Sequence, residues 1–257
     1  MARDDLLVLC YHAISEDWPA ALSVTPRNFE FQIGLLASRG YRGATLTSAA
    51  LGEVSGKVVA ITFDDGYRSV DERARPVLER HGFPATVFVP TRLVGTAPRL
   101  SWPGIDSWLG GPYEHELEPM SAPELRALAG HGWEIGSHTL THPRLPLLGD
   151  DELRDQLATS RRECTEMIGA ECTSIAFPYG AVDARVLRES EAAGYSVGAL
   201  LSASLRQTSG FACPRLGVYH ADGHGMFRFK VSPLVRRLRR SRAWPAIDRL
   251  RSSMRTA

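Results

Sequence analysis

The sequence contains no C-x-x-C pair, and its four cysteines, Cys10, Cys164, Cys172 and Cys213, stand well apart. That argues against a zinc knuckle and against a dense disulfide framework, so four reduced, buried thiols are the expected state. No run approaches the roughly 18 apolar residues of a membrane span. The N-terminus does not read as a secretory leader either: Asp4 and Asp5 occupy the place of a positive n-region, and the apolar run 6–10 is too short. A cytoplasmic location is the resulting expectation. Internal repeats and low-complexity tracts are absent too. Nor does one charge sign dominate, with 30 Lys and Arg against 29 Asp and Glu in 257 residues.

That near-neutral balance hides an asymmetry. Residues 228–257 carry ten Lys or Arg and one acid, Asp248, so the end of the chain is strongly basic and the preceding part is acidic. Apolar residues at 231, 234, 235 and 238, and again at 247, 250 and 254, fall at helical spacing among the arginines. A basic amphipathic helix of this kind suits an anionic membrane surface, which would place the protein peripherally at the inner face of the membrane. The competing expectation is a solvated tail resting on the acidic body. No nucleic-acid partner is expected, because no interleaved aromatics or nucleic-acid motif accompany the basic residues and the body is acidic.

What is present is a regular alternation. Apolar, β-rich runs at 6–11, 58–63, 85–90, 133–137, 174–177, 195–200 and 214–219 are separated by helical patterns at 28–39, 71–81, 122–130 and 150–168. Near-continuous apolar strands between amphipathic helices predict an α/β fold with a parallel sheet covered by helices. About seven such units favour a (β/α) barrel over an open sheet, a single domain over residues 1–230 followed by the basic tail 231–257. Ser121-Ala-Pro-Glu124 reads as a capping box, and Gly40, Gly82, Gly130 and Gly194 stand where helices should end. Residues 93–119, with Trp102 and Trp108, read as a loop on the face where βα loops build active sites, either a substrate rim or a surface insertion.

Two segments carry chemistry. Thr62-Phe-Asp-Asp-Gly66 follows an apolar run, and adjacent carboxylates at a strand end point to different sides, so one can bind a cation while the other handles a proton. Alone, Asp-Asp-Gly is an ordinary turn. His138 and His142, four residues apart after another strand, are spaced to share one face of a helical turn and chelate a divalent ion. Two histidines and one carboxylate leave coordination positions open, the pattern of a catalytic site. The second carboxylate then serves as base for a water that a metal has acidified to a pKa of about 7.

Thr62–Gly66, His138-Thr-Leu-Thr-His142 and Phe177-Pro-Tyr-Gly180, in that order, resemble the leading motifs of the polysaccharide deacetylases, carbohydrate esterase family 4. Residues 82–89 and the opening Val8-Leu-Cys-Tyr-His12 are similar to family segments, and the likeness covers roughly residues 6–230. The resemblance implies a distorted (β/α) barrel forming one catalytic domain, with a divalent metal, zinc first and cobalt, nickel, manganese or iron as substitutes, held by Asp65, His138 and His142. It implies Asp64 as general base and the backbone N–H of Tyr179 as oxyanion donor. The implied reaction removes an N-acetyl group from an amino sugar of a glycan or glycoconjugate. Rival readings are an O-acetyl esterase, a deacylase of a non-sugar amide, and an inactive barrel that binds glycans.

The sequence departs from the family pattern in three places. The arginine that often precedes Pro-Tyr-Gly is replaced by Ile175-Ala-Phe177, and Arg215 is the expected substitute for orienting the base. The D-x-x-D-W motif is absent. The late Leu-x-His that often supplies the general acid is absent too, which leaves His12 or His220 for that role. His12 is preferred, because it ends the first strand and resembles the branch with an N-terminal Tyr-His.

Overall fold

The structure, a computed structural model, describes residues 6–95, 99–202, 204–207 and 209–244. In chain order the elements are β1 (Leu6–Tyr11), β2 (Ala13–Ile14), β3 (Ser23–Val24), α1 (Pro26–Ser38), β4 (Arg42–Ala44), α2 (Leu46–Leu51) and β5 (Val58–Phe63). A π-helical turn, Val70–Ala74, runs into α3 (Arg75–Arg80). Then follow β6 (Thr86–Val89), α4 (Ala122–Gly130), β7 (Glu134–Ser137), α5 (Asp150–Ile168), β8 (Ser174–Ala176), α6 (Ala184–Ala192), β9 (Val197–Leu201), β10 (Ala212–Gly217), α7 (His224–Lys230) and α8 (Pro233–Arg240).

Strands β5 to β10 pair in sequence and in parallel, β10 pairs with β1, and β1 returns to β5 from Leu6↔Val58 to Tyr11↔Phe63. Seven strands therefore close a barrel. The short β4 fills the gap beside the start of β5, where β6 reaches only Thr62 and Phe63. Alternate residues divide two cores, as the two-residue period of a strand requires. Val8, Ala60, Phe88, Ala176, Ala199 and Cys213 form the inner cluster, while Leu9, Ile61, Val87 and Ile175 pack outward against the helices. The interior is narrow enough that a Cβ at Gly136 would lie 2.5 Å from the Phe88 ring.

All seven predicted strand runs coincide with barrel strands, and α4 and α5 have the predicted bounds. The Ser121–Glu124 capping box is formed. Gly40, Gly82 and Gly194 adopt left-handed φ after their helices, but Gly130 lies inside α4 and Gly132 takes that conformation instead. All four cysteines are buried and free of disulfides. Among the described residues no helix is long and apolar enough to cross a membrane.

The first part of the tail is helical, and arginines rather than leucines anchor it to the barrel. In α8, Arg236 is buried and donates to Leu6 O (2.7 Å) and Tyr41 Oη (2.6 Å), and Arg240 donates to Leu6 O (2.7 Å). Leu234 and Leu238 of the predicted stripe are 81% and 44% exposed, whereas Val231 is buried. Carbonyls at the start of β1 need donors, and the arginines supply them, so satisfying buried polar groups outweighs burying two leucines. The second predicted stripe, at 247, 250 and 254, lies outside the described residues.

Candidate active site and metal centre

Strand ends on one face of the barrel bring the predicted groups together. His12 follows β1, Asp64 and Asp65 follow β5, His138 and His142 follow β7, and Tyr179 lies just beyond β8. They line one cavity of about 300 Å³ with Trp102, Arg144 and Tyr219. Gly66 makes the turn after the carboxylates at φ 72°, against the Val89 side chain.

The two histidines are not on a helical turn, which corrects the spacing argument. Residues 138–142 form a loop in which Thr139 (φ 71°) and His142 (φ 63°) are left-handed. Polar contacts hold that shape. His142 N–H donates to Thr139 Oγ1 (3.1 Å), Thr139 N–H to Ser137 Oγ (3.1 Å), and the Leu140 and Thr141 amides to Gln156 Oε1 (3.1 and 3.3 Å). Gln156 belongs to α5 and was invisible to motif reading, as a polar residue on a helix face gives no signal of its loop partner.

Asp65 Oδ1 lies 3.3 Å from His138 Nε2 and 3.4 Å from His142 Nε2. These are the edges of a tetrahedron whose centre is about 2.0–2.1 Å from each ligand atom, the bond length of zinc to nitrogen or carboxylate oxygen. His138 Nδ1 is 2.9 Å from the carbonyl of Ala176, which can only accept, so Nδ1 carries the proton and Nε2 of the neutral ring turns a lone pair to the centre. The second histidine is held by stacking: the Trp102 and His142 rings are 4.0 Å apart at 25°. The donor set therefore fits a divalent ion. Burial depresses the basicity of both histidines; it prevails at His142, while the Asp65 and Asp64 carboxylates outweigh it at His138 and raise its pKa. Burial also pushes the Asp65 carboxyl up, but the two histidines, when protonated at the nitrogens that face it, hold it far below the usual carboxylate range.

Asp64 faces a different partner. Arg215, fully buried in β10, grips it with two bonds, Nη1 to Oδ1 (2.6 Å) and Nη2 to Oδ2 (2.8 Å), and Nη1 also reaches Thr62 Oγ1 (3.0 Å). The expected substitute for the missing arginine thus sits on Asp64, the candidate base. Burial alone would raise the Asp64 carboxyl; Arg215, helped by His138 and His12, holds it at about 2, so it is ionised at neutral pH. The Cys10 thiol adds a weak bond to Oδ2 (3.4 Å).

The two candidate acids separate. His12 is buried in the cavity, its Nδ1 lacks a hydrogen-bond partner, and its nearest ring nitrogen lies within 4.8 Å of a carboxylate oxygen of Asp64. His220 is exposed and does not line the cavity. Tyr179 stands at φ 60°, and the following amides of Gly180 and Ala181 bond back to Phe177 O and Pro178 O. The loop carrying Trp102 and Trp108 is a rim rather than a detached insertion: Trp102 stacks on a candidate ligand, and Trp108 packs edge-on to Trp18.

The polysaccharide deacetylase family profile matches residues 52–198, more than half of the chain. The chain belongs to the polysaccharide deacetylase family. Within it, YxkH of Bacillus subtilis is 29% identical over 233 residues, covering 89% of this chain and 72% of that protein. A poly-β-1,6-N-acetyl-D-glucosamine N-deacetylase of Staphylococcus aureus is 27% identical over 189 residues, 68% of this chain and 60% of that one, so part of it has no counterpart here. The solved Streptococcus pyogenes deacetylase PplD, in complex with acetate, shares the barrel at a TM-score of 0.75 and 20% identity, covering 89% of this chain and 98% of that one.

Proposed function

We propose that this deacetylase-family chain hydrolyses the N-acetyl group of an amino sugar in a glycan or glycoconjugate. The observation that carries the proposal is the division of labour between adjacent carboxylates: Asp64 locked to Arg215, Asp65 converging with two histidines, both opening on one cavity. A divalent ion held by Asp65, His138 and His142, zinc by preference, would supply Lewis acidity toward the water and the amide carbonyl. Asp64, kept ionised and oriented by the arginine fork, accepts the proton of the attacking water. The Tyr179 N–H stabilises the developing oxyanion. His12, beside Asp64 in the cavity, protonates the departing amine. Its place after β1 also favours the branch with an N-terminal Tyr-His. At the other end of the chain, we propose that the exposed Leu234 and Leu238 with the neighbouring arginines touch an anionic membrane surface.

The test is acetate release from N-acetylglucosamine oligosaccharides, an O-acetylated sugar and a non-sugar acetamide, with chelator and after return of zinc or cobalt. Release from the N-acetyl sugars that chelator abolishes and metal restores supports the reading. Release confined to the O-acetyl ester or the non-sugar amide overturns it.

A further inference from the structure

Arg144 is the one Lys or Arg among the described residues lining the active-site cavity. It stands two residues after His142, its Cζ 4.1 Å from the centroid of the Tyr179 ring. Tyr179 in turn meets His142 edge-on at 4.7 Å, and His142 lies against Trp102. The guanidinium is thus the outer plate of a stack that begins on the metal centre. A cation–π contact leaves the N–H edge of a guanidinium available to other partners, and Arg144 is exposed to solvent. No carboxylate of the described residues forms an ion pair with it, whereas Arg68, Arg73, Arg75, Arg80, Arg154 and Arg185 all have one.

The charge balance of the cavity points the same way. Arg215 neutralises Asp64, and a divalent ion more than neutralises Asp65. Arg144 adds a further positive charge that nothing inside the cavity cancels, beside the place where the acetamide must lie. A neutral oligosaccharide would leave that charge unused, while a carboxylate or phosphate on or next to the acetylated sugar would match its planar fork.

We propose that Arg144 forms a subsite for an oxyanion, so that the substrate class is an N-acetylated amino sugar bearing a carboxylate or phosphate close to the acetamide. This rests on the sugar-deacetylase reading above. Three probes separate the sources of the charge: N,N′-diacetylchitobiose, neutral; an N-acetylglucosaminyl–N-acetylmuramic acid disaccharide, with a carboxylate; and N-acetylglucosamine 1-phosphate. For each, kcat and KM are measured from acetate release, and Kd from calorimetry on the metal-loaded protein. At least one anionic probe should show kcat/KM and affinity about tenfold above the neutral one, mostly through KM, with an advantage that shrinks as salt rises. Arg144→Gln should bring that ratio close to one, and Arg144→Lys should keep part of it. A ratio near one in the wild-type protein for both anions overturns the proposal, as does a preference that survives in Arg144→Gln. If no probe releases acetate, the sugar-deacetylase reading fails, and the calorimetric ratio still decides the role of Arg144.

Discussion

Replacing Arg215 with methionine keeps most of the apolar stem and removes the cation that grips Asp64. The carboxylate is only 3% exposed, so water cannot take the place of the two lost bonds. Holding the carboxyl at about 2 instead of 3.8 corresponds to roughly 2.5 kcal/mol of folded-state stability. Because the folded pKa is the lower one, that contribution is complete above about pH 4 and fades as pH falls toward 2. Without the guanidinium, burial acts unopposed and lifts the carboxyl above its ordinary value. Urea unfolding near pH 7 should therefore show a loss of about 3–5 kcal/mol, the usual result of stripping one partner from a buried pair. Near pH 3 the variant's Asp64 is already protonated, and the gap between the proteins should narrow. In kinetics, the acid limb of kcat/KM should move to higher pH, with a plateau about 10²-fold lower as the base loses its orientation. Arg215→Lys, which keeps charge but not the fork, should fall between. The reasoning is refuted by a variant that loses less than about 1 kcal/mol at both pH values and keeps its acid limb while Asp64→Asn is inactive.

Removing the metal with chelator should abolish activity and lower the Tm. Returning zinc at about 1,000 times its Kd should restore about 4 kcal/mol of stability, and His138→Ala should neither bind zinc by elemental analysis nor recover. His12→Ala should lose the basic limb of the pH–rate profile and keep the acid limb set by Asp64; a retained basic limb removes His12 as the acid. Leu234→Asp combined with Leu238→Asp should reduce flotation with phosphatidylglycerol vesicles without lowering the Tm, because both side chains already face solvent. Equal flotation of wild type and variant would mean that this face is not the membrane contact.

Much of the barrel was legible because its signal is local. Runs such as 6–11 and 58–63 are buried on both faces, and nothing but a strand inside a covered parallel sheet needs such continuous apolarity. The convergence of Asp65, His138 and His142 was legible for another reason: few purposes besides a metal call for Asp-Asp-Gly and His-x-x-x-His at strand ends, and the fold brings these groups together. Contacts between distant segments were harder to read. Arg215 could be proposed only by elimination, and its pairing with Asp64 spans 151 residues. Trp102 was a tryptophan in a loop until the fold stacked it on His142. Helical spacing misled at 138–142, where a loop with left-handed residues replaces the helical turn. In α8 the helix is there, but the spacing gave no sign that Arg236 and Arg240 reach the Leu6 carbonyl.

The four non-glycine residues with left-handed φ among those described are Asp65, Thr139, His142 and Tyr179, and all of them belong to the site or to the loop between its ligands. Such backbone costs about 1–2 kcal/mol per residue, so it persists only where neighbouring contacts fix it. Thr139 lets these terms be separated. A glycine there would relieve about 1 kcal/mol of strain, offset by a similar gain in unfolded-chain entropy and by the loss of the Oγ1 that accepts the His142 amide. The metal-free Tm of Thr139→Gly should therefore lie within a few degrees of wild type. His142, however, loses its backbone anchor, and zinc affinity measured by competition with a chromophoric chelator should fall about 10- to 100-fold, as when support around a ligand is removed. If affinity stays unchanged in a folded variant, the strained loop does not position the ligand, and His142 owes its place to the Trp102 stack alone.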